Sequence, residues 1–402
     1  MATCRASRAG FTLIEMLIAT MMMMAITAAV FTVMNPAQGM YQAQPEAADM
    51  QQRMRVAVDV LSKDIVMAGA GVYMGASSGS LAGYFAPLMP YRVGDVESDP
   101  AAGIFYRPDT ISLMYVPSTA AQAAVKKATG NGNSRELDVE AQLNCGPDRR
   151  TRLCGFRNGM RVLVMDVDGT WDYTTITNVQ GDALHLQHGG TLSGSYSSGA
   201  AVVAEVAAHT YYLKTDRATG TYQLMHYDGT ANPDVPIVDH VVALQFSYYG
   251  DPQPPDVLPG KSMIDKVGPW TTYGPKPPPL GVDNPADSWP AGENCTIAVS
   301  DGRQIPRLPA LAVDASEPLL TPQQLTDGPW CPDEARANRF DADLLRVRKV
   351  RVTLRVQAAL ASLRGPAGLL FMRGGTSTSS TRYVPDQEVR FDITPRNLNL
   401  AR

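Results

Sequence analysis

The first candidate for chemistry is a serine in the pattern of a hydrolase nucleophile. The run Gly75-Ala76-Ser77-Ser78-Gly79 matches G-x-S-x-G, a pattern that holds the serine on a strained turn between a strand and a helix. Here a helical pattern precedes the run, and a loop rich in glycine and serine follows it. The context therefore favours an ordinary loop.

A group of aspartates offers a weaker candidate, a calcium site. Asp166, Asp168 and Gly169, with Asp172 close behind, resemble the start of a calcium-binding loop. No glutamate stands at the closing position, and both flanks have strand patterns. The sequence favours a hairpin turn and leaves calcium binding open.

The histidines do not form a metal-binding motif in the sequence. They are five in number and scattered: His185, His188, His209, His226 and His240. On a strand His185 and His188 would point to opposite faces, which argues against a shared metal. A glycine-rich phosphate-binding loop is also missing from the sequence. We therefore expect no catalytic site, no metal site and no cofactor, and we expect that the chain is not an enzyme.

A carboxylate within an apolar segment is the most informative side chain. Glu15 is followed by 19 residues without a charge, up to Met34. A helix of that length spans about 28 Å, close to the thickness of a bilayer's hydrocarbon core. An ionisable group in such a segment is costly and usually marks function. The segment 11–34 is thus a candidate membrane helix whose carboxylate needs a partner.

The residues before this helix indicate its orientation. Positions 1–10 are polar and contain Arg5 and Arg8 but no acidic residue. The positive-inside rule places this end in the cytoplasm and the rest of the chain across the membrane. A cleaved secretory signal and a plain signal anchor are the alternatives. A secretory signal normally has a shorter apolar region, whereas this one continues past its small residues to Met34.

The start of the sequence resembles the processing signal of a known family. Gly10-Phe11-Thr12-Leu13-Ile14-Glu15, followed by an apolar helix, is similar to the type III signal of type IV pilins and type II secretion pseudopilins. The resemblance implies that a prepilin peptidase removes residues 1–10 after Gly10 and methylates the amino group of Phe11. The Glu15 carboxylate can then neutralise such an amine inside an apolar filament core.

The cysteines agree with a head outside the cytoplasm. The chain has five, and loss of the leader would remove Cys4. The remaining four are Cys145, Cys154, Cys295 and Cys331, which allow three connectivities in an oxidising compartment. Sequence proximity favours Cys145 with Cys154 and Cys295 with Cys331.

Beyond the apolar segment the helical pattern resumes as an amphipathic one. Asn35-Pro36 and Gly39 predict a kink or a loosening of the helix. From position 45 to 68, apolar residues recur at steps of three and four: Met54, Val58, Leu61, Ile65 and Ala68. Gly69 and Gly71 should end this helix, so 35–71 is a continuation that packs on a head. Residues 51–71 also resemble the corresponding helix of PilW-type minor pilins.

The hydrophobic period then changes from about 3.6 to two, which predicts antiparallel strands. The predicted strands are 110–116, 161–165, 171–177, 183–187, 209–214, 222–227, 241–249 and 350–356. Turn residues at Asp168-Gly169 and Thr219-Gly220 predict two hairpins. Residues 72–250 should form a β-rich head that residues 341–402 complete.

A proline-rich stretch interrupts the head. Between Asp251 and Phe340 lie 17 of the 30 prolines, including Pro277-Pro278-Pro279. Central strands do not carry that many prolines. The segment 251–340 is therefore predicted to be a surface excursion closed by one disulfide, either for contact with a partner or as an insertion with no specific role.

Together the patterns predict an α+β fold with a long N-terminal helix on an antiparallel sheet head and a long proline-rich insertion. The resemblance implies that this fold is type IV pilin-like. The net charge of −4 and the scattered Lys and Arg argue against a nucleic-acid surface. The resemblance implies an inner-membrane prepilin with a periplasmic head that primes pilus assembly and lies at the tip of the pilus, in support of twitching, adhesion or DNA uptake. Its implied partners are prepilin peptidase, other minor pilins, the major pilin and a large tip adhesin. A J-type pseudopilin of a type II secretion system and a membrane-anchored adhesin or enzyme are the alternatives.

Overall fold

A computed structural model describes these parts of the chain: residues 11–72, 80–83, 85–93, 106–119, 121–126, 135–142, 145, 152–166, 171–190, 192, 196, 198–199, 201–216, 220–229, 234–251, 297–306, 317–326, 330–331, 340–378 and 383–399. They divide into two compact units. The first unit contains Met1–Arg53 and Val356–Gln387, and the second contains Met54–Arg355 and Glu388–Arg402.

The elements include two α-helices, α1 Leu13–Met67 and α2 Arg396–Asn399. Short 3-10 turns cover Leu81–Gly83, Ala342–Arg346 and Ala361–Leu363. The strands within the described residues are β1 Leu88–Met89, β2 Thr110–Tyr115, β3 Gln122–Ala124, β4 Glu136–Asp138, β5 Arg161–Met165, β6 Trp171–Gln180, β7 His185–His188, β8 Val202–Glu205, β9 Ala207–Asp216, β10 Thr221–Tyr227, β11 Val235–Asp239, β12 Val241–Gly250, β13 Ile297–Ser300, β14 Arg303–Pro306, β15 Trp330–Cys331, β16 Phe340–Asp341, β17 Val347–Val356 and β18 Gln387–Ile393. The fold is α+β.

Helix α1 is 55 residues long and has helical backbone through Asn35, Pro36 and Gly39. These residues therefore do not end the helix, although the sequence predicts a kink or loosening there. In the second unit Ala57, Leu61 and Ile65 of α1 are buried, as is Ala68 directly after its end, and these residues form its buried stripe. Leu61, Ile65 and Ala68 confirm part of the predicted apolar face. Met54 and Val58 are only half-buried, and Ala57 was not predicted.

The end of α1 is joined to a five-stranded sheet in the second unit. The strand order is β1-β2-β9-β10-β11, and all four neighbouring pairs are antiparallel. The N–H of Gly69 donates to the carbonyl of Met114 at 2.9 Å, and the N–H of Val116 donates to that of Ala70 at 2.7 Å. Two backbone hydrogen bonds thus fix the chain leaving α1 against strand β2 and the residue that follows it.

A second sheet has six strands in the order β3-β8-β5-β6-β7-β4. Strands β5 and β6 pair antiparallel, as predicted for a hairpin around Asp168-Gly169, although residues 167–170 lie outside the described part. One face of this sheet is lined by its own apolar core: Ala121, Ala123, Val125, Leu137, Val139, Leu153, Phe156, Met160, Val162, Val164, Ile176, Leu186, Leu192, Tyr196, Ala201 and Val203. Seven of these side chains lie in the strands, among them Val162 and Val164 at alternate positions of β5, which is how one sheet face buries a core.

Parts of the proline-rich segment form strands. Strands β13 and β14 pair with each other, as do β15 and β16. The N–H of Leu320 donates to the carbonyl of Tyr248 at 2.8 Å, so this part of the segment lies against β12. Strands β12, β17 and β18 form a three-stranded sheet. Residues 252–296 lie outside the described part.

The chain turn after α1 gives a test of this packing. Gly69 has φ +82°, and a Cβ at this position would meet Leu398 at 3.0 Å and Pro87 at 3.2 Å. We expect Gly69→Ala to lower the free energy of unfolding by about 1–2 kcal/mol for the left-handed backbone, plus about 1–3 kcal/mol for the overlap. Urea unfolding of the full chain in detergent measures the change.

The matched control is Gly159→Ala. Gly159 has the same φ of +82°, but nothing lies within 4 Å of a Cβ there. This substitution should cost only the backbone part, so Gly69→Ala should be the more destabilising of the two. Equal losses would show that the space beside Gly69 is not tightly packed.

Candidate functional site

The first turn of α1 is closed by a reciprocal pair of side chains. The Thr12 hydroxyl accepts the Glu15 N–H at 3.3 Å. In return the Glu15 carboxylate accepts the Thr12 N–H and the Thr12 hydroxyl proton, both at 2.9 Å. This is a capping box with Thr12 at the N-cap position and Glu15 three residues later. The carboxylate is therefore folded back toward the start of the chain.

This geometry bears on the predicted processing site. Gly10 lies outside the described residues, and Phe11 is 85% exposed just before the helix. Cleavage after Gly10 would place a new amine on Phe11, next to the Thr12 N–H that Glu15 already accepts. Glu15 thus lies where a carboxylate could meet a charged N-terminus with little rearrangement.

The following apolar surface is left uncovered. Leu13–Met34 contains 22 residues with a mean hydropathy of 2.1, and none of this segment is buried in the structure. It is long and apolar enough to cross a membrane, a criterion that a signal sequence near the N-terminus also meets. An uncovered apolar surface of this size requires lipid or another protein.

The hydroxyl groups in this segment are satisfied within the helix itself. Each donates to a backbone carbonyl one turn earlier: Thr20 to Leu17 at 3.0 Å, Thr27 to Met23 at 2.7 Å and Thr32 to Ala29 at 2.7 Å. In lipid every polar group needs an internal partner. The threonines are therefore compatible with an apolar surrounding, and Glu15 is the only ionisable side chain of the segment.

The predicted cysteine pairs are described only in part. Cys145 and Cys154 form a disulfide, with the two Sγ atoms 2.16 Å apart and the Cα atoms 5.6 Å apart. Cys295 lies outside the described residues, as does the side chain of Cys331, whose backbone belongs to β15. Cys4 also lies outside them.

The other candidates from the sequence are separate from one another. Residues 75–79, with the G-x-S-x-G pattern, lie outside the described part. Asp166 and Asp172 are buried on either side of the β5–β6 connection. His185 Nε2 lies 3.0 Å from a carboxylate oxygen of Asp138, whereas His188 is fully buried on the opposite face of β7.

A polar cluster in the second unit was not predicted from the sequence. Its members are Asp64 of α1, Tyr115 of β2, His209 and Tyr211 of β9, and His226 of β10, which we call the Asp64 cluster. Asp64 is only 6% exposed, and the cluster connects the buried face of the helix to three neighbouring strands. The antiparallel register, which pairs His226 with Tyr211, brings the two histidines to the same face.

The distances in the Asp64 cluster permit one hydrogen-bond arrangement in which each side chain has a partner. The hydroxyl of Tyr115 donates to Asp64 Oδ1 at 3.3 Å, and that of Tyr211 donates to Oδ2. Because the Tyr115 hydroxyl donates its hydrogen bond to Asp64, its oxygen accepts from His209 Nε2 at 3.2 Å. His209 Nδ1 then accepts from His226 Nε2 at 2.7 Å. This arrangement keeps both imidazoles neutral.

Burial also favours the neutral histidines. It lowers the pKa of both His209 and His226, while the nearby Asp64 carboxylate acts in the opposite direction. Two further groups act on both rings, with Arg161 lowering and Asp228 raising the pKa. The loss of hydration is the largest of these effects, so the folded protein holds this pair less protonated than an unfolded chain would.

The two tyrosines keep their protons for the same reason. Burial, reinforced by the Asp64 carboxylate, raises the pKa of Tyr115 to about 12. Burial and the hydrogen bond to Asp64 raise the pKa of Tyr211 as well. Both phenols therefore stay proton donors toward the carboxylate, which stabilises its charge in a buried position.

A cleft opens beside the Asp64 cluster. It has a volume of about 500 Å³ and is lined in part by Arg157, Arg161, Glu205, His209 and Asp228. Arg161 forms an ion pair with Asp228 at 3.2 Å and donates to the Tyr173 hydroxyl at 3.2 Å. The lining thus contains both acidic and basic side chains, and the guanidinium of Arg161 already has the Asp228 carboxylate as its partner. Among the described residues, no group of three or more His, Cys, Asp or Glu could hold a metal ion.

The cluster predicts a pH dependence of stability. Since the folded pKa of His209 and His226 is below the ordinary value of 6.5, the unfolded chain binds protons first as the pH falls. The free energy of unfolding should therefore decrease between about pH 7 and pH 5, by up to about 1.4 kcal/mol per pH unit for each histidine. Urea unfolding of the full chain in detergent at several pH values measures the slope.

Two substitutions locate the source of this slope. His226→Gln retains an N–H that can donate to His209 but cannot take a proton, so the slope should become shallower. His185→Gln changes a histidine that pairs with Asp138 on the other sheet, and it should leave the contribution of the cluster in place. A slope unchanged by His226→Gln would assign the pH dependence to other groups.

The chain was compared with protein-family models, with curated proteins and with solved structures, and none of them matches. Its function must therefore be inferred from its own residues. Two features are the starting points for this inference. One is the carboxylate of Glu15 in the first turn of an uncovered apolar helix, and the other is the Asp64 cluster, which connects the same helix to a sheet.

Proposed function

We propose that this protein is a minor pilin of the PilW type. In this proposal it is made as an inner-membrane prepilin, is cleaved after Gly10 and is methylated at Phe11. It then joins other minor pilins, primes assembly and lies at the tip of the pilus. The observation that carries the proposal is the uncovered apolar segment Leu13–Met34, whose single carboxylate is folded back toward the predicted cleavage site.

The apolar segment serves two surroundings in turn. Before assembly its exposed side chains contact lipid, and after extraction the same side chains contact the apolar helices of neighbouring subunits. Both surroundings are dry, so a cationic N-terminus needs a counter-charge. Glu15 supplies this charge from the first turn, either to its own Phe11 amine or to that of a neighbour, and the pairing sets the register of the subunit.

The rest of the chain provides the head. The second half of α1 packs on the five-stranded sheet through its buried stripe and the Asp64 cluster, which keeps the head attached to the helix during assembly. The Cys145–Cys154 disulfide suits an oxidising compartment outside the cytoplasm. Prepilin peptidase, the other minor pilins, the major pilin and a large tip adhesin are the partners of this proposal.

Processing and incorporation can be tested in one experiment. Filaments are sheared from cells and the N-terminal peptides are identified by mass spectrometry, searched as precursor and as processed forms. We expect a peptide that begins at methylated Phe11. Gly10→Asp is the matched control, because a side chain at the cleavage position should leave the full precursor in the membrane.

Two results would contradict the proposal. Normal processing of Gly10→Asp would place the cleavage site elsewhere. A chain that is absent from filaments and still begins at Met1 or Ala2 in membranes would favour an anchored adhesin or enzyme. Loss of protein secretion rather than of twitching, after deletion, would indicate a J-type pseudopilin.

The role of Glu15 can be separated into a charge and a helix cap. Glu15→Val removes both, whereas Glu15→Gln removes the charge and keeps an oxygen that can accept the Thr12 N–H, since Gln also serves in a capping box. We expect both variants to be cleaved normally and to lose at least tenfold in their share of filaments. Immunoblots of membranes and sheared filaments measure the two quantities.

The comparison between the variants decides the mechanism. If Glu15→Gln assembled like the unaltered chain while Glu15→Val did not, the carboxylate would act as a cap and the charge pairing would be wrong. Wild-type assembly of Glu15→Val would remove both roles.

A further inference from the structure

A turn in the first unit presents two leucines to solvent. Gly368 and Phe371 exchange two backbone hydrogen bonds, 2.8 Å from the Gly368 N–H and 3.3 Å from the Phe371 N–H. This pairing places Leu369 and Leu370 at the tip of a two-residue hairpin. Leu369 is 98% exposed and Leu370 is 56% exposed.

The base of this turn is held firmly. The Asp386 carboxylate accepts the Met372 N–H at 2.7 Å, and the Asp386 N–H donates to the Leu370 carbonyl at 3.0 Å. Phe371 is buried and packs edge-on against Tyr383, with ring centroids 5.2 Å apart. A well-packed turn therefore holds the two leucines in solvent.

The base of the turn also excludes side chains at its glycines. A Cβ on Gly375 would meet the carbonyls of Ala361 and Arg364 at 2.3 Å, and the Gly375 N–H donates to the Gly365 carbonyl at 2.9 Å. The two sides of the turn thus approach closely below the tip, at a position, Gly375, where a side chain does not fit. Leu360 and Met372 add further exposed apolar surface nearby in the sequence, each at 46%.

The same unit connects this turn to the anchor helix. The Glu46 carboxylate of α1 is buried and accepts the N–H of Ala359, the residue that enters the segment. Glu46 lies twelve residues after Met34, which is about 18 Å along the helix axis. The segment that carries the turn is therefore attached to α1 a short distance beyond the apolar part.

The length of the segment is compatible with a membrane contact. A headgroup layer extends about 5–7 Å beyond the hydrocarbon on each side, so the gap from Ala359 to the headgroups is roughly 11–13 Å along α1. The ten residues from Ala359 to Leu369 would span at most about 33 Å if fully extended. They include the 3-10 turn Ala361–Leu363, which shortens them, and the gap lies within this upper limit.

The charge of the segment is suited to an anionic surface. Residues 360–386 contain three arginines, at 364, 373 and 382, and one acidic residue, Asp386, in a chain whose net charge is −4. Basic residues beside exposed leucines form a common arrangement of protein segments that lie in the membrane interface.

We propose that the turn Gly368–Phe371, with Leu369 and Leu370 at its tip, is a second membrane contact. It inserts these leucines among the headgroups of the leaflet in which α1 ends, and the net positive charge of residues 360–386 favours anionic phospholipid there. The inference rests on the membrane anchoring in the proposed function, but not on cleavage, methylation or pilus assembly.

Photocrosslinking from the tip tests the contact. The full chain, with p-benzoylphenylalanine in place of Leu369, is reconstituted into vesicles of phosphatidylethanolamine and phosphatidylglycerol in a 3:1 ratio and irradiated. We expect a phospholipid adduct by mass spectrometry. Because Leu369 is almost completely exposed, the substitution removes no packing from the fold.

Two controls on α1 calibrate the yield. Position 30, within the apolar segment, should give a lipid adduct. Gln52 is exposed and lies about 27 Å beyond Met34 along the helix, so its adduct should be at least tenfold weaker than that from position 369. In vesicles without phosphatidylglycerol the yield at 369 should fall at least threefold, while that at position 30 should stay the same.

The outcomes separate this inference from the proposed function. If alkaline carbonate released the chain from the vesicles, the anchoring itself would be wrong. If the chain stayed bound but position 369 gave no more lipid adduct than Gln52, the membrane contact alone would be overturned. Capture of a second copy of the chain instead of lipid would identify the tip as a contact between subunits and would likewise overturn it.

Discussion

One helix has to satisfy two different surroundings, and the rest of the structure follows from this constraint. Over Leu13–Met34 the side chains of α1 have no protein cover, and the threonine hydroxyls bond to the helix's own carbonyls. From Ala57 onward one stripe of the same helix is completely buried. Because backbone hydrogen bonds stay within a helix, the element can pass from one surrounding to the other without exposing unpaired polar groups.

Two carboxylates on α1 illustrate how charge is handled in each surrounding. Asp64 is buried against the sheet and accepts hydrogen bonds from two tyrosine hydroxyls, those of Tyr115 and Tyr211. Glu15 has only its own first turn, where Thr12 supplies both donors. Neutral donors are adequate for the first carboxylate because two strands, β2 and β9, hold them in place. The second lies on a surface without such strands, so a stronger partner, a cationic amine, is the group that would complete it.

Much of the architecture could be predicted because its signals are local. Strand β5 has the predicted bounds, since apolar residues and flanking turn residues define it within a few positions, and Cys145 and Cys154 are close in sequence. The Asp64 cluster was missed because its members are far apart along the chain. Part of the cluster could nevertheless have been predicted from the sequence. A hairpin centred just before Thr219-Gly220 pairs Tyr211 with His226, and this register makes His209 and His226 diagonal neighbours on one face. The approach of Asp64 required the packing of the helix, which no local pattern encodes.

The two proposed membrane contacts have a joint consequence for the subunit. A chain held by α1 alone leaves the bilayer when neighbouring helices replace lipid around its apolar surface. A chain held also by the Leu369–Leu370 tip must lose a second apolar contact, on a segment attached to the helix through Glu46. Because that segment is fixed to α1, both contacts are lost in the same step, which raises the barrier to extraction. Such a subunit would enter a filament less readily than one with a single anchor, which suits a component needed once, at initiation, rather than in every turn of the filament.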